Sequence, residues 1–186
     1  MPDWEGLNDT QLLDEAQNGK PEAFGELYSR HAGKIFRFLY AHVDDRLDAE
    51  DLTNEVFLKA WRSLPSYQRQ GVPFSAFLFR VARNVLIDFY RRSTHLKNLV
   101  QVDTGSDKAD QPVDPAGDIS DLIEHRELVR LLNLLKEDYR IVLVLRFLTG
   151  LSPSETAQVM RRSHGAIRIL QYRALIELRA LLEKEV

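Results

Sequence analysis

The chain has 186 residues, 44% of them hydrophobic, no cysteine and a formal net charge of −3. That suits one medium or two small globular domains and excludes a disulfide framework, thiolate metal ligands and a cysteine nucleophile. The apolar runs fall far short of a membrane span, so no membrane insertion is expected, and no basic-plus-apolar segment precedes the first polar run, so a signal peptide is not expected and a reducing cytoplasm fits.

Helical spacing recurs along the whole chain and strand alternation is scarce, which predicts an all-α fold. The candidate helices are 8–18, 21–43, 48–64, 74–94, 121–135, 137–149, 153–160 and 164–184. Pro21 suits a first helical position after "NGK". The helix 48–64 turns Leu52, Val56, Phe57, Ala60, Trp61 and Leu64 to one side and Asp51, Asn54, Glu55, Leu58, Lys59 and Arg62 to the other. Leu58 ringed by charge is either a stray surface leucine or the centre of a protein contact. The acidic group Asp44, Asp45, Asp48, Glu50 and Asp51 lacks the central glycine of a calcium loop, so no metal is expected there.

"SLPSYQRQGVPF" (63–74) is a turn-rich loop carrying Tyr67, Gln68, Arg69 and Gln70. It serves as a connector or as a holder of an extruded base through hydrogen bonds to the base edge. The helix that follows has Leu78, Val81, Ala82, Val85, Leu86 and Phe89 on one face. Opposite lie Arg80, Arg83, Asn84, Ile87 and Arg91, flanked by Phe77, Phe79 and Tyr90. This is either a solvated basic face or a groove for a single strand, with guanidinium groups on phosphates and rings on bases.

"VDTGSDKADQPVDPAGDISD" (102–121) has two prolines, two glycines and many aspartates, and no apolar period. It predicts a flexible acidic linker between two small helical domains, 1–97 and 121–186, with 98–120 as the connection. In the second domain Gly150 stops one helix, and Ser152, Pro153 and Glu155 start the next as N-cap, first position and capping box. "LSPSETAQVMRRSHGAIRILQYRALIELRALL" (151–182) then has the layout of a helix-turn-helix, or of any basic αα-hairpin. Its second helix is expected to bury Ile167, Leu170 or Ile169, Ala174, Leu175 and Leu178. Arg168 and Gln171 suit base edges. Arg161, Arg162, Arg173 and Ser154 suit phosphates, and Ser163 and His164 open the helix. The five histidines (31, 42, 95, 125 and 164) have no metal or nucleophile spacing, so no cofactor and no enzyme activity are expected.

In their order and spacing, "DAEDLTNEVFLKAW", "PFSAFLFRVARNVLIDFYRR", the linker, "LVLRFLTGLSPSETAQVM" and "GAIRILQYRALIELRALL" resemble an extracytoplasmic-function sigma factor of bacterial RNA polymerase. The resemblance implies a sigma-two-like domain and a sigma-four-like domain. Asp51, Asn54, Glu55 and Leu58 would dock on the clamp helices of the beta-prime subunit. Arg80, Arg83, Asn84 and Arg91 would hold the melted minus-ten strand, with a base captured by the loop of Tyr67 and Gln68. The helix starting near Ser163 would read the minus-thirty-five element while its other face meets the beta flap. The linker would thread toward the RNA exit path, and an anti-sigma factor is an expected partner. Two departures stand out: Asn54 occupies a position where the family often has Gln, and Ala166 then Arg168-Ile169-Leu170 replaces a commoner Thr then Lys-Ser-Arg. The competing reading is a helix-turn-helix regulator that binds duplex DNA without being a polymerase subunit.

Overall fold

The computed structural model describes residues 4–43, 45–68, 71–99 and 119–185, with the backbone alone at 94–99, 119–126 and 185. The linker expected at 98–120, and Asp44, Arg69 and Gln70, lie largely or wholly outside the described residues. So do the side chains of His95 and His125.

Helices α1 (Asp9–Gln17), α2 (Pro21–Val43), α3 (Arg46–Ser63) and α4 (Phe74–Leu99) form the first body. A 3₁₀ turn at Leu64–Ser66 leads into the loop between α3 and α4. Helices α5 (Ile119–Leu134), α6 (Glu137–Leu143), α7 (Pro153–Met160) and α8 (His164–Glu185) form the second. No strand occurs among the described residues.

Local chemistry sets many of the helix ends. Asn8 caps α1 in a reciprocal box with Gln11, at 3.0 and 2.9 Å, and Asp45 caps α3 by accepting from the Asp48 N–H at 2.9 Å. Ser152 and Glu155 form the expected box at the start of α7, which satisfies two amide groups that the helix cannot. Gly150 sits at φ +71°, where a Cβ would be strained. Before it, α6 widens into a π turn over Val144–Leu148, the Thr149 N–H reaching five residues back to the Val144 carbonyl at 3.0 Å.

One apolar core runs through both bodies. Phe38, Leu39 and Ile35 of α2 are fully buried, as are Val56 of α3 and Leu78 and Val85 of α4. Ile141, Leu145 and Ile167 continue the same cluster in the second body. Phe79 departs from its expected place beside the basic arc: it is buried with its ring edge-on to Phe38 at 5.5 Å, because α2 crosses α4 on that side. Trp61, expected inside, keeps 37% of its surface exposed and packs one edge on Phe24 at 4.9 Å.

Candidate nucleic-acid and polymerase interfaces

The loop after α3 is anchored from below. The side-chain amide of Gln17 donates to the Leu64 carbonyl at 2.9 Å and to the Tyr67 carbonyl at 3.0 Å. The Asp9 carboxylate meets the His31 ring at 2.6 Å, and the His31 ring lies edge-on to Phe74 at 5.8 Å. The His31 hydrogen bond is the main cause that holds Asp9 below the ordinary carboxylate pKa; burial opposes it and Arg30 adds to it. Phe74, Phe77 and Tyr67 then pack on one another, with Tyr67 and Phe77 centroids 4.7 Å apart. Tyr67 is thereby half-buried, and burial pushes its phenol pKa up while nearby Arg80 pulls it down. Beside it lies an open cavity of about 380 Å³ lined by Asn8, Asp9, Thr10, Leu13, Tyr67, Val72, Pro73 and Phe74. Gln17, Asp9 and His31 were not among the expected site residues. Their partners lie 22 to 50 positions away in sequence, so no local pattern marks them.

The basic arc of α4 is not uniformly open. Asn84 and Arg91 are exposed, whereas Arg80 and Arg83 are half-buried. The Arg80 guanidinium donates twice to the Gln158 carbonyl of α7, at 3.1 and 3.0 Å. One turn earlier Ser75 donates to Glu155 at 3.2 Å. The Arg83 Nε and the Gln158 side-chain oxygen are both buried with no hydrogen-bond partner. Helix α7 therefore lies against the half of α4 that carries Arg80, and the ring expected to flank that half, Phe79, belongs to the core. Tyr90 remains partly exposed at the other end, its hydroxyl donating to the His42 carbonyl at 2.6 Å.

On the far side of the first body α3 presents Asp51, Asn54 and Leu58, all exposed, with Leu58 at 48%. The Tyr28 hydroxyl donates to the Asn54 side-chain oxygen at 3.3 Å. Glu55 is half-buried between Lys59 (2.9 Å) and Arg92 of α4 (3.3 Å). Burial raises its pKa, but the hydrogen bonds from those two cations outweigh it, and the net shift is downward. Lys59 also reaches Asp88 at 3.5 Å, so ion pairs link α3 to α4 along this face. A cleft of about 350 Å³ between the two helices is lined by Asp48, Asp51, Leu52, Glu55, Phe89, Arg92 and Ser93. No cluster of His, Asp and Glu suited to a metal occurs among the described residues.

In the second body, α7 ends at Arg161 in the left-handed conformation, φ +53°, which costs a non-glycine residue about 1 kcal/mol and turns the chain sharply into α8. Ser163 caps α8, its hydroxyl accepting the Ala166 N–H at 3.2 Å. Ser154, Arg161, Arg162, Ser163, His164, Arg168 and Arg173 are all exposed, and Arg162 is paired with Asp138. Gln171 is not on this surface. It is half-buried and accepts from the Arg146 Nε at 3.1 Å, so it ties α8 to the π turn instead of facing outward. Ile167 and Ala174 are buried as expected, while Ile169 and Leu175 point outward.

Two helical bodies, the second ending in a capped, sharply turned helix pair with an arginine-rich outer face, define a helix-turn-helix DNA-binding protein. The chain matches the Sigma-70 region 2 family over residues 27–95 and the Sigma-70, region 4 family over residues 125–183. It is 36% identical to the ECF RNA polymerase sigma factor ShbA of Streptomyces griseus, across 93% of this chain and 94% of that one. To the ECF RNA polymerase sigma factor BldN of Streptomyces coelicolor it is also 36% identical, across 92% of this chain but 65% of that one, so it spans just under two thirds of BldN. The solved structure of CnrH in complex with the cytosolic domain of CnrY is similar at a TM-score of 0.71 and 26% identity, across 96% of this chain and 99% of that one. The chain belongs to the extracytoplasmic-function sigma factors of RNA polymerase. That placement decides for a sigma factor over a free-standing duplex-binding regulator. No helix among the described residues is long and apolar enough to cross a membrane.

Proposed function

We propose that the chain directs promoter-specific initiation as follows. Residues 1–97 dock on core polymerase through Asp51, Asn54, Glu55 and Leu58, and hold the melted minus-ten strand along Arg80, Arg83, Asn84 and Arg91. Residues 121–186 read the minus-thirty-five duplex through α8, with Arg161, Arg162, Arg173 and Ser154 on phosphates. The acidic stretch 98–120 spans the distance between them. Catalysis belongs to the polymerase, which works in the cytoplasm.

The observation that carries this reading is the loop held by Gln17, which sets Tyr67 beside Arg80 and next to an open cavity. A single extruded base fits that volume, with Tyr67 on one side and Asn8, Asp9 and Thr10 as a polar wall. Stacking and hydrogen bonds of this kind exist only for an unpaired base, so binding them favours the open strand by about 1–3 kcal/mol per base. In the resting arrangement α7 occupies Arg80, so engagement of the strand requires the two bodies to part. CnrH has been solved with the cytosolic domain of CnrY, which supports an anti-sigma partner for this chain as well.

The test separates core binding from melting. Asn84→Ala is expected to lower open-complex formation on a fully duplex promoter about fivefold, the value of one lost polar contact, with unchanged co-elution on core polymerase. Asp51→Arg with Glu55→Arg is expected to abolish co-elution. Equal loss of both activities in Asn84→Ala would refute the division of labour.

A further inference from the structure

Helix α8 leaves Ile169, Tyr172, Leu175, Ile176 and Leu182 exposed, and the first two lie in its N-terminal half among Arg168 and Arg173, where a groove-entering helix makes its contacts. Ile169 is 56% exposed and Tyr172 is 67% exposed, and a spacing of three puts them on one side of the helix. Arg168 lies on the same exposed arc, with Arg173 exposed at its edge. The opposite side is fully used: Ile167 and Ala174 are buried and Gln171 holds Arg146.

A single exposed isoleucine needs no explanation. Two apolar groups among guanidiniums narrow the choice of ligand. A wholly apolar surface would desolvate the arginines without pairing them. A phosphate backbone would pair the arginines and leave Ile169 uncovered. The major groove offers both, because anionic walls enclose a floor on which the C5-methyl of thymine is the apolar group.

We propose that Ile169 is a specificity-determining residue that packs on a thymine methyl in the upstream promoter element, next to a base pair contacted by Arg168. This deepens the assignment of α8 as the upstream reader and rests on it. Selectivity at that position then comes from methyl burial in place of hydrogen bonding, so it discriminates thymine from cytosine by shape and apolarity. Its strength is that of one buried methyl, about fourfold.

The experiment uses the full chain assembled with core polymerase. Duplexes with a randomised upstream segment are selected by binding. Each thymine of the selected sequence is then replaced in turn by deoxyuridine, which removes only the methyl. At one thymine the replacement is expected to weaken binding about fourfold. Ile169→Ser should show the same loss on the thymine duplex and no further loss on the deoxyuridine duplex. Arg168→Ala should bind more weakly yet keep the thymine-to-deoxyuridine ratio. A selected sequence with no methyl-sensitive position, or an Ile169→Ser variant that keeps the ratio, would overturn the proposal while leaving α8 as the upstream reader. Failure to select any upstream sequence would overturn the assignment of α8 and the proposal together.

Discussion

His42 should make the fold acid-sensitive above the range where carboxylates titrate. Its Nδ1–H donates to the Phe38 carbonyl at 2.6 Å, and its Nε2 is buried with no partner. Tyr90 packs over its carbonyl, and Arg140 of α6 lies near enough to act on the ring's charge. Burial, aided by Arg140 and opposed by the Phe38 hydrogen bond, depresses the imidazole pKa from 6.5 to about 4. Above 6.5 both folded and unfolded chains hold the ring neutral and the stability is complete. As pH falls below 6.5 the unfolded chain takes up a proton that the native chain refuses, so stability declines until the folded ring itself protonates near 4. The full span is worth about 3 kcal/mol, of which about 2.5 kcal/mol is lost by about pH 4.5. Urea unfolding followed by circular dichroism from about pH 7.5 to about pH 4.5 measures it. His42→Gln keeps an N–H for the Phe38 carbonyl and cannot take a proton. Its curve should therefore be flatter than the native one by that amount, the low-pKa carboxylates Asp9, Glu55 and Glu155 contributing equally in both chains. Parallel curves for the two proteins would refute the reasoning.

Two more substitutions test the packing. Phe79→Ala should cost about 3–5 kcal/mol of unfolding free energy, because the ring is core; a stable variant that fails only in strand melting would return Phe79 to the nucleic-acid face. Ser152→Ala should cost about 1 kcal/mol and Ser152→Asp should recover most of it, read from the thermal midpoint; an unchanged midpoint in Ser152→Ala would mean that the box contributes nothing.

The helices were legible in the sequence because their ends are local events. Ser152 and Glu155 are three residues apart, Gly150 needs only its own φ, and Pro21 begins α2 where its missing N–H costs nothing. Side-chain partners were less legible. A helical wheel gives the direction of Phe79 but not that α2 will cross there, and it cannot tell that Gln171 will meet Arg146 25 positions away. The arc of α4 shows the same limit: its arginines were evident, but the arrival of α7 over Arg80, 78 positions distant, was not. The outward turn of Ile169 and Leu175 has a similar origin. The buried side of α8 is narrow, and Ile167, Ala174 and the half-buried Leu170 and Leu178 already fill it.

The acceptor that holds Arg80 is a main-chain oxygen. No replacement of the side chain at position 158 removes it, so drift in that residue leaves this hydrogen bond unchanged, and control over it lies with Arg80. If the same guanidinium later grasps the strand, loss of Arg80 frees the reading surface and weakens it in one stroke. Such a variant would trade a slower release step for a poorer hold, and its net output would depend on which of the two limits initiation.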